Sequence, residues 1–84
     1  MSLDSIPYED LAPLLEESTQ VEPGSVPAAM ALLDLDGWDS MGMVMFIALV
    51  DERFGVELSV HDLHECKSAG ELAERIFQHQ QKQQ

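Results

Sequence analysis

From Ser40 to Phe54 the chain runs without a proline, and nine of the ten residues from Met41 to Val50 are apolar. Such a run is too long for an ordinary strand and far short of the ~18–20 residues that a membrane span needs. It reads as one helix, running from about Ser40 to Phe54 and closed by Gly55 just past its end, where glycine accepts the left-handed turn. Two stripes can be traced along it at helical spacing. Met43, Phe46, Ile47, Val50 and Phe54 stay apolar throughout and are expected to face a core. Met41, Val44, Met45 and Ala48 continue into Asp51 and Glu52, which places this second stripe on or near the surface. Exposed contiguous apolar surface marks an interaction site, and methionine suits adaptable ones. For Val44 and Ala48, cover by Leu33 or Trp38 explains the pattern equally well. Met41 and Met45, beside the helix start, are expected to be exposed.

The remaining segments must pack against that helix. The first helix lies within Ser5 to Thr19, with Leu11, Leu14 and Leu15 on one face. Pro7 suits its start, and Pro13 implies either a kink or a start near Asp10. Gln20 to Asp39 contains Pro23, Gly24, Pro27 and Gly37 and reads as a long loop, with room for a helical turn over Pro27 to Leu33. Leu32, Leu33, Leu35 and Trp38 are its expected anchors. A short third helix begins at Ser59, with Asp62 three residues later to complete a capping box. The fourth repeats this pattern with Ser68 and Glu71, then buries Ala69, Leu72, Ala73, Ile76 and Phe77. Val56-Glu57-Leu58 is too short to build a sheet. The expected fold is all-α: a four-helix bundle with a long loop between the first and second helices and a short third helix. The 84 residues suffice for a single domain, folded over about residues 5–78, with a frayed polar tail at 79–84 and no weight placed on Met1-Ser2-Leu3.

Charge narrows the partners. Sixteen acids face four Lys+Arg, a net charge of -12. Residues 1–65 carry -13 and residues 66–84 carry +1, so the negative field belongs to the first three-quarters of the chain. A phosphate backbone would be repelled, which argues against nucleic acid. A basic protein partner is the natural complement. No membrane span and no signal peptide is read. A single cysteine, Cys66, excludes an internal disulfide framework and fits a reducing, cytoplasmic setting; a monomer is expected.

Asp39-Ser40-Met41 joins the loop directly to the second helix. A serine there puts its hydroxyl at the positive end of the helix dipole, beside N–H groups with no internal partner, where an added phosphate ester would be stabilised. Taken alone, the pair is also an ordinary N-cap.

The wider pattern is more specific. Leu33-Asp34-Leu35-Asp36-Gly37-Trp38-Asp39-Ser40-Met41-Gly42-Met43-Val44, followed by Asp51-Glu52-Arg53-Phe54-Gly55-Val56-Glu57-Leu58, resembles the acyl carrier proteins. These are known by an Asp-Ser-Leu signature at the start of their second helix. The likeness extends to the fourth helix near Phe77 and covers the first helix only by length and pattern. It implies that Ser40 carries 4′-phosphopantetheine, installed from coenzyme A by a phosphopantetheinyl transferase. It implies an acyl or aminoacyl cargo held as a thioester on that arm, loaded by a ligase or synthase and passed to acyltransferases of a dedicated biosynthetic pathway. The chain itself would be a carrier and not an enzyme. By the same resemblance Asp39 orients the transferase and holds the helix start. Asp36, Trp38, Met41, Val44, Met45, Asp51 and Glu52 would form the docking surface. Fatty-acid-type carriers commonly place acids where this chain has Gly42 and Met45. The segment "DSMG" is similar to D-alanyl carrier proteins and "GWDSMG" to specialised carriers. Docking should therefore lean more on apolar contact. The competing possibility is an unmodified acidic adaptor that docks through Met41 and Met45 and uses Ser40 only as a cap.

Other chemistry fits poorly. A calcium loop from Asp34 would need an oxygen ligand at Trp38, glycine at Asp39 and glutamate at Met45, and all three fail. His61 and His64, with Asp62 or Glu65, have the spacing of a weak metal site but read better as solvated surface residues, so no metal is expected. Cys66 reads as a small core residue. Ser40 has no nearby histidine to activate it.

Overall fold

The structure, a computed structural model, describes residues 7–82. Within that span the chain forms four α-helices, α1 (Tyr8–Thr19), α2 (Ser40–Phe54), α3 (Val60–Glu65) and α4 (Ala69–Lys82), with a 3-10 turn at Leu32–Asp34 in the long first loop. The all-α expectation holds. Ser5 and Met1-Ser2-Leu3 lie outside the described residues.

Helix α1 starts at Tyr8 and continues through Pro13. Pro13 and Glu9 both lie on the exposed face, so the carbonyl that a proline cannot satisfy is left where water reaches it. Leu11, Leu14 and Leu15 are buried beneath. At the C-terminus Gln20 turns left-handed (φ 61°), and the Ser18 and Thr19 hydroxyls both donate to the Leu15 carbonyl. Helix α2 ends as its sequence requires, at Gly55 with φ 70°, whose N–H donates to the Asp51 carbonyl. Its core stripe is led by Phe46 and Val50, both fully buried, with Met43, Ile47 and Phe54 half-buried around them.

The long loop is sewn down rather than free. Ala31 pairs with Ser68 in an isolated bridge, and the N–H groups of Leu32, Ala69 and Gly70 donate to Lys67, Met30 and Ala28 across it. The Tyr8 hydroxyl donates to the Val26 carbonyl at 2.7 Å. Burial, with the nearby Glu16 charge, pushes that phenol up to about 12. Val26, Leu32 and Leu35 plug the loop into the core. Leu33, expected as an anchor, is instead 98% exposed, because the tight 3-10 turn points its neighbour Leu32 inward and so turns Leu33 out.

Ser59 and Asp62 form the expected capping box at α3. At α4 the box does not form in the expected way: the Glu71 carboxylate accepts the Lys67 N–H at 3.0 Å, one residue upstream of Ser68. The Ser68 neighbourhood is already committed to the bridge with Ala31. Ala69, Leu72, Ala73 and Ile76 are buried as anticipated, while Phe77 is half-buried. The tail expected to fray from residue 79 is helical to Lys82, and His79 lies 3.3 Å from Asp62. Arg75 ties α4 to α3 through Asp62 (2.9 Å) and Glu65 (2.7 Å).

Candidate functional site

The start of α2 is where the loop, α1 and the exposed stripe meet. Asp39 is extended (φ -120°, ψ -171°), and its Oδ1 accepts the Gly42 N–H at 2.9 Å, while its carbonyl accepts the Met43 N–H at 2.8 Å. Asp39 is therefore the N-cap, and Ser40 is the first helical residue. Ser40 is exposed, and its hydroxyl has no hydrogen-bond partner among the described residues. The N–H groups of Ser40 and Met41 also have no acceptor there. An exposed hydroxyl thus stands beside two open N–H donors at the positive end of a 15-residue helix. No other role in the fold occupies this oxygen. That arrangement fits a phosphodiester on Ser40: it can be reached from solvent, and the adjacent donors favour its charge.

The second stripe is open. Met41 is 77% exposed, Val44 60% and Met45 42%, and Ala48, Asp51 and Glu52 are exposed with them. At 100° per residue these six positions span an arc of about 120°. Asp36, on the loop just before, is exposed as well. Leu33 points away and Trp38 points inward, so neither covers the stripe. Trp38, expected both as a loop anchor and on the docking surface, is half-buried and anchors the loop edge-on against Phe46, with ring centroids 5.6 Å apart and planes at 70°. Among the described residues this is the aromatic pair that Phe46, buried at the centre of α2, makes.

Two depressions flank the helix start. A groove of about 450 Å³ is lined by Leu32, Leu33, Trp38, Met43, Leu63 and Cys66, with His64 and Lys67 at its edge. Burial pushes the Cys66 thiol up to about 11, which favours its protonated form. On the opposite side, a shallower cleft of about 200 Å³ runs between the end of α1 (Thr19, Gln20) and Met41 and Met45. Thr19 and Gln20 were not expected near the site; nothing local in the sequence brings the end of α1 to the start of α2. The one available signal was the pair Gly37 and Gly42, which marks a close backbone approach. Among the described residues no group of three His, Cys, Asp or Glu is arranged to hold a metal ion. The Asp62 and Glu65 carboxylates near His61 are engaged by Arg75.

The family described as "Phosphopantetheine attachment site" matches residues 9–76. The chain is 25% identical over 69 residues to the acyl carrier protein of Tropheryma whipplei, in strains Twist and TW08/27, covering 82% of this chain and 84% of each relative. Its fold is similar to the solution structure of a holo acyl carrier protein from Geobacter metallireducens (TM-score 0.72, 17% identity, 90% of this chain and 87% of that one).

Proposed function

The chain belongs to the phosphopantetheine-attachment family as an acyl carrier protein, a non-catalytic carrier of acyl groups on covalently bound 4′-phosphopantetheine, and from this premise we propose that Ser40 is its attachment residue. The observation that carries the assignment is the division of labour at the start of α2. Asp39 caps the helix, so Ser40 has no structural duty, and its hydroxyl is exposed beside two open N–H groups. In the modification, Ser40 Oγ bonds to the pantetheine-side phosphorus of coenzyme A. The bridging P–O bond breaks, adenosine 3′,5′-bisphosphate leaves, and the hydroxyl proton passes to the transferase. Once attached, the arm supplies a thiol for thioester chemistry. The protein supplies position and a high effective concentration of cargo at each docked partner.

Asp39 holds the terminus for the transferase. Met41, Val44 and Met45, bordered by Asp36, Asp51 and Glu52, dock partner enzymes whose matching faces combine basic groups with an apolar patch. Trp38 contributes from beneath, by fixing the loop on Phe46. The mixed apolar and acidic face points to a dedicated set of loading ligases or synthases and acyltransferases, delivering an acyl or aminoacyl group in the cytoplasm from a monomeric carrier. The unmodified-adaptor alternative loses its reason for Ser40, since Asp39 already does the capping. Incubation with a promiscuous phosphopantetheinyl transferase and coenzyme A tests the assignment by intact mass. The wild-type chain should gain one phosphopantetheine and Ser40→Ala none. Equal labelling of the two would remove Ser40 from this role, and no labelling of either would return the adaptor.

A further inference from the structure

The start of α2 rests on the end of α1 through two glycines, and neither contact leaves room for a side chain. A Cβ on Gly37 would lie 2.5 Å from the Thr19 carbonyl oxygen and 3.1 Å from Thr19 Cα, and its φ of 85° disfavours any L side chain. A Cβ on Gly42 would overlap the Gly37 carbonyl oxygen and stand 3.5 Å from that of Ser18. Three backbones are therefore stacked, Thr19 on Gly37 on Gly42. The nearest obstacle to each Cβ is backbone and not the end of a flexible side chain, so none can yield without moving an element. Glycine weakens a helix, so helix formation does not explain its place in the first turn of α2. Gly42 lies two residues beyond Ser40 and carries the N–H that Asp39 caps. Displacing it moves the turn that bears the serine.

We propose that Gly42 is a positioning residue for the modification of Ser40, with the Thr19–Gly37–Gly42 stack setting where and in what direction the hydroxyl is presented. The inference rests on the assignment of Ser40 and deepens it. Group transfer between two proteins requires the hydroxyl to align with the phosphorus, and an error of about 1 Å can cost on the order of 100-fold in rate. Met41 and Met45 border the same contact, so the stack also fixes the docking face relative to the acceptor oxygen.

Steady-state transfer from coenzyme A, followed by intact mass, tests this on the wild-type chain, Gly42→Ala and Gly55→Ala. Each is assayed at a temperature where circular dichroism shows it folded. Gly55 caps the far end of α2, about 20 Å from Gly42 by helical rise. Its φ is positive, as that of Gly42 is not, and nothing lies within 4 Å of its Cβ position, so alanine there strains the far end of the helix without touching the stack. Gly42→Ala should lower kcat about tenfold or more while KM for the carrier changes less than about threefold. Gly55→Ala should keep both constants. Should Gly42→Ala not fold, inserting one glycine between Asp36 and Gly37 relaxes the stack without adding a side chain, and it should show the same loss in kcat. Wild-type kcat in the stack variant, or an equal loss in Gly55→Ala, overturns the inference and leaves Ser40 in its role. A wild-type chain that gains no phosphopantetheine, with a known carrier labelled alongside, overturns the assignment of Ser40 and the inference with it.

Discussion

Because Asp39 Oδ1 holds the Gly42 N–H, the Ser40 hydroxyl is not needed by the helix, and the two side chains can be separated by mutation. Ser40→Ala should leave the urea midpoint unchanged, since it removes an exposed group with no partner, within the ±0.5 kcal/mol or so usual for surface changes. Asp39→Ala should cost about 1 kcal/mol of unfolding free energy, and Asp39→Asn, which keeps a capping oxygen, much less. Urea titrations of the three variants check this. A destabilised Ser40→Ala would show that the hydroxyl is engaged after all. Cys66 gives a second measurement at this scale. With its thiol pushed up to about 11 by burial, it should alkylate with iodoacetamide at pH 8 far more slowly in the native chain than in urea. Fast native alkylation would contradict its place at the floor of the groove.

Helix α3 has only six residues, too few to be stable alone, and depends on its attachments. Leu63 is buried at its centre, and Ser59 and Asp62 close its start. Arg75 reaches across from α4 to Asp62 and Glu65. Although burial acts the other way, hydrogen bonds from the Ser59 N–H and hydroxyl, His79 and Arg75 hold the Asp62 carboxyl at about 2, below its ordinary value near 4. A carboxyl that binds its proton less tightly when folded stabilises the fold fully above about pH 4. That contribution fades as the pH falls through 2. Between pH 5 and pH 2 the wild-type chain should therefore lose about 1–2 kcal/mol more than Asp62→Asn, after allowance for solvent screening. Urea unfolding across that range reads the difference, and parallel curves would show that Asp62 is not the linked group. Arg75→Met should loosen α3 over the groove that Leu63 and Cys66 line, visible as faster amide exchange in residues 60–65.

At the scale of the whole molecule, the net charge of -12 sets two opposing responses to salt. Self-repulsion within the fold is screened as ionic strength rises, so the thermal midpoint should increase from 0.01 to 0.15 M salt. Encounter with a basic partner is screened too, so kcat/KM for modification by the transferase should fall over the same range. If partners dock on the exposed Met41, Val44 and Met45 as proposed, that fall should be shallower than for a carrier with acids at the positions of Gly42 and Met45. The same difference predicts poor exchange with general fatty-acid elongation enzymes. Turnover equal to that of their own carrier would contradict a dedicated partner set.

Features governed by neighbours along the chain were legible from the sequence. Helical periodicity, Gly55 at the end of α2, the Ser59–Asp62 box and the Asp39-Ser40 junction each depend on a few consecutive residues, and local sterics and hydrogen bonding suffice to place them. The exposed Met41–Met45 stripe was half legible, because periodicity separates two faces without saying what covers either. The rest awaited the fold. Leu33 facing out, the choice of Phe46 as the ring that Trp38 meets, the helical Gln78–Lys82 segment and the stacking of Gly42 on Gly37 and Thr19 all depend on contacts between segments distant in sequence. Close packing decides such contacts by the shape of the space left over, and that space exists only once every element is in place.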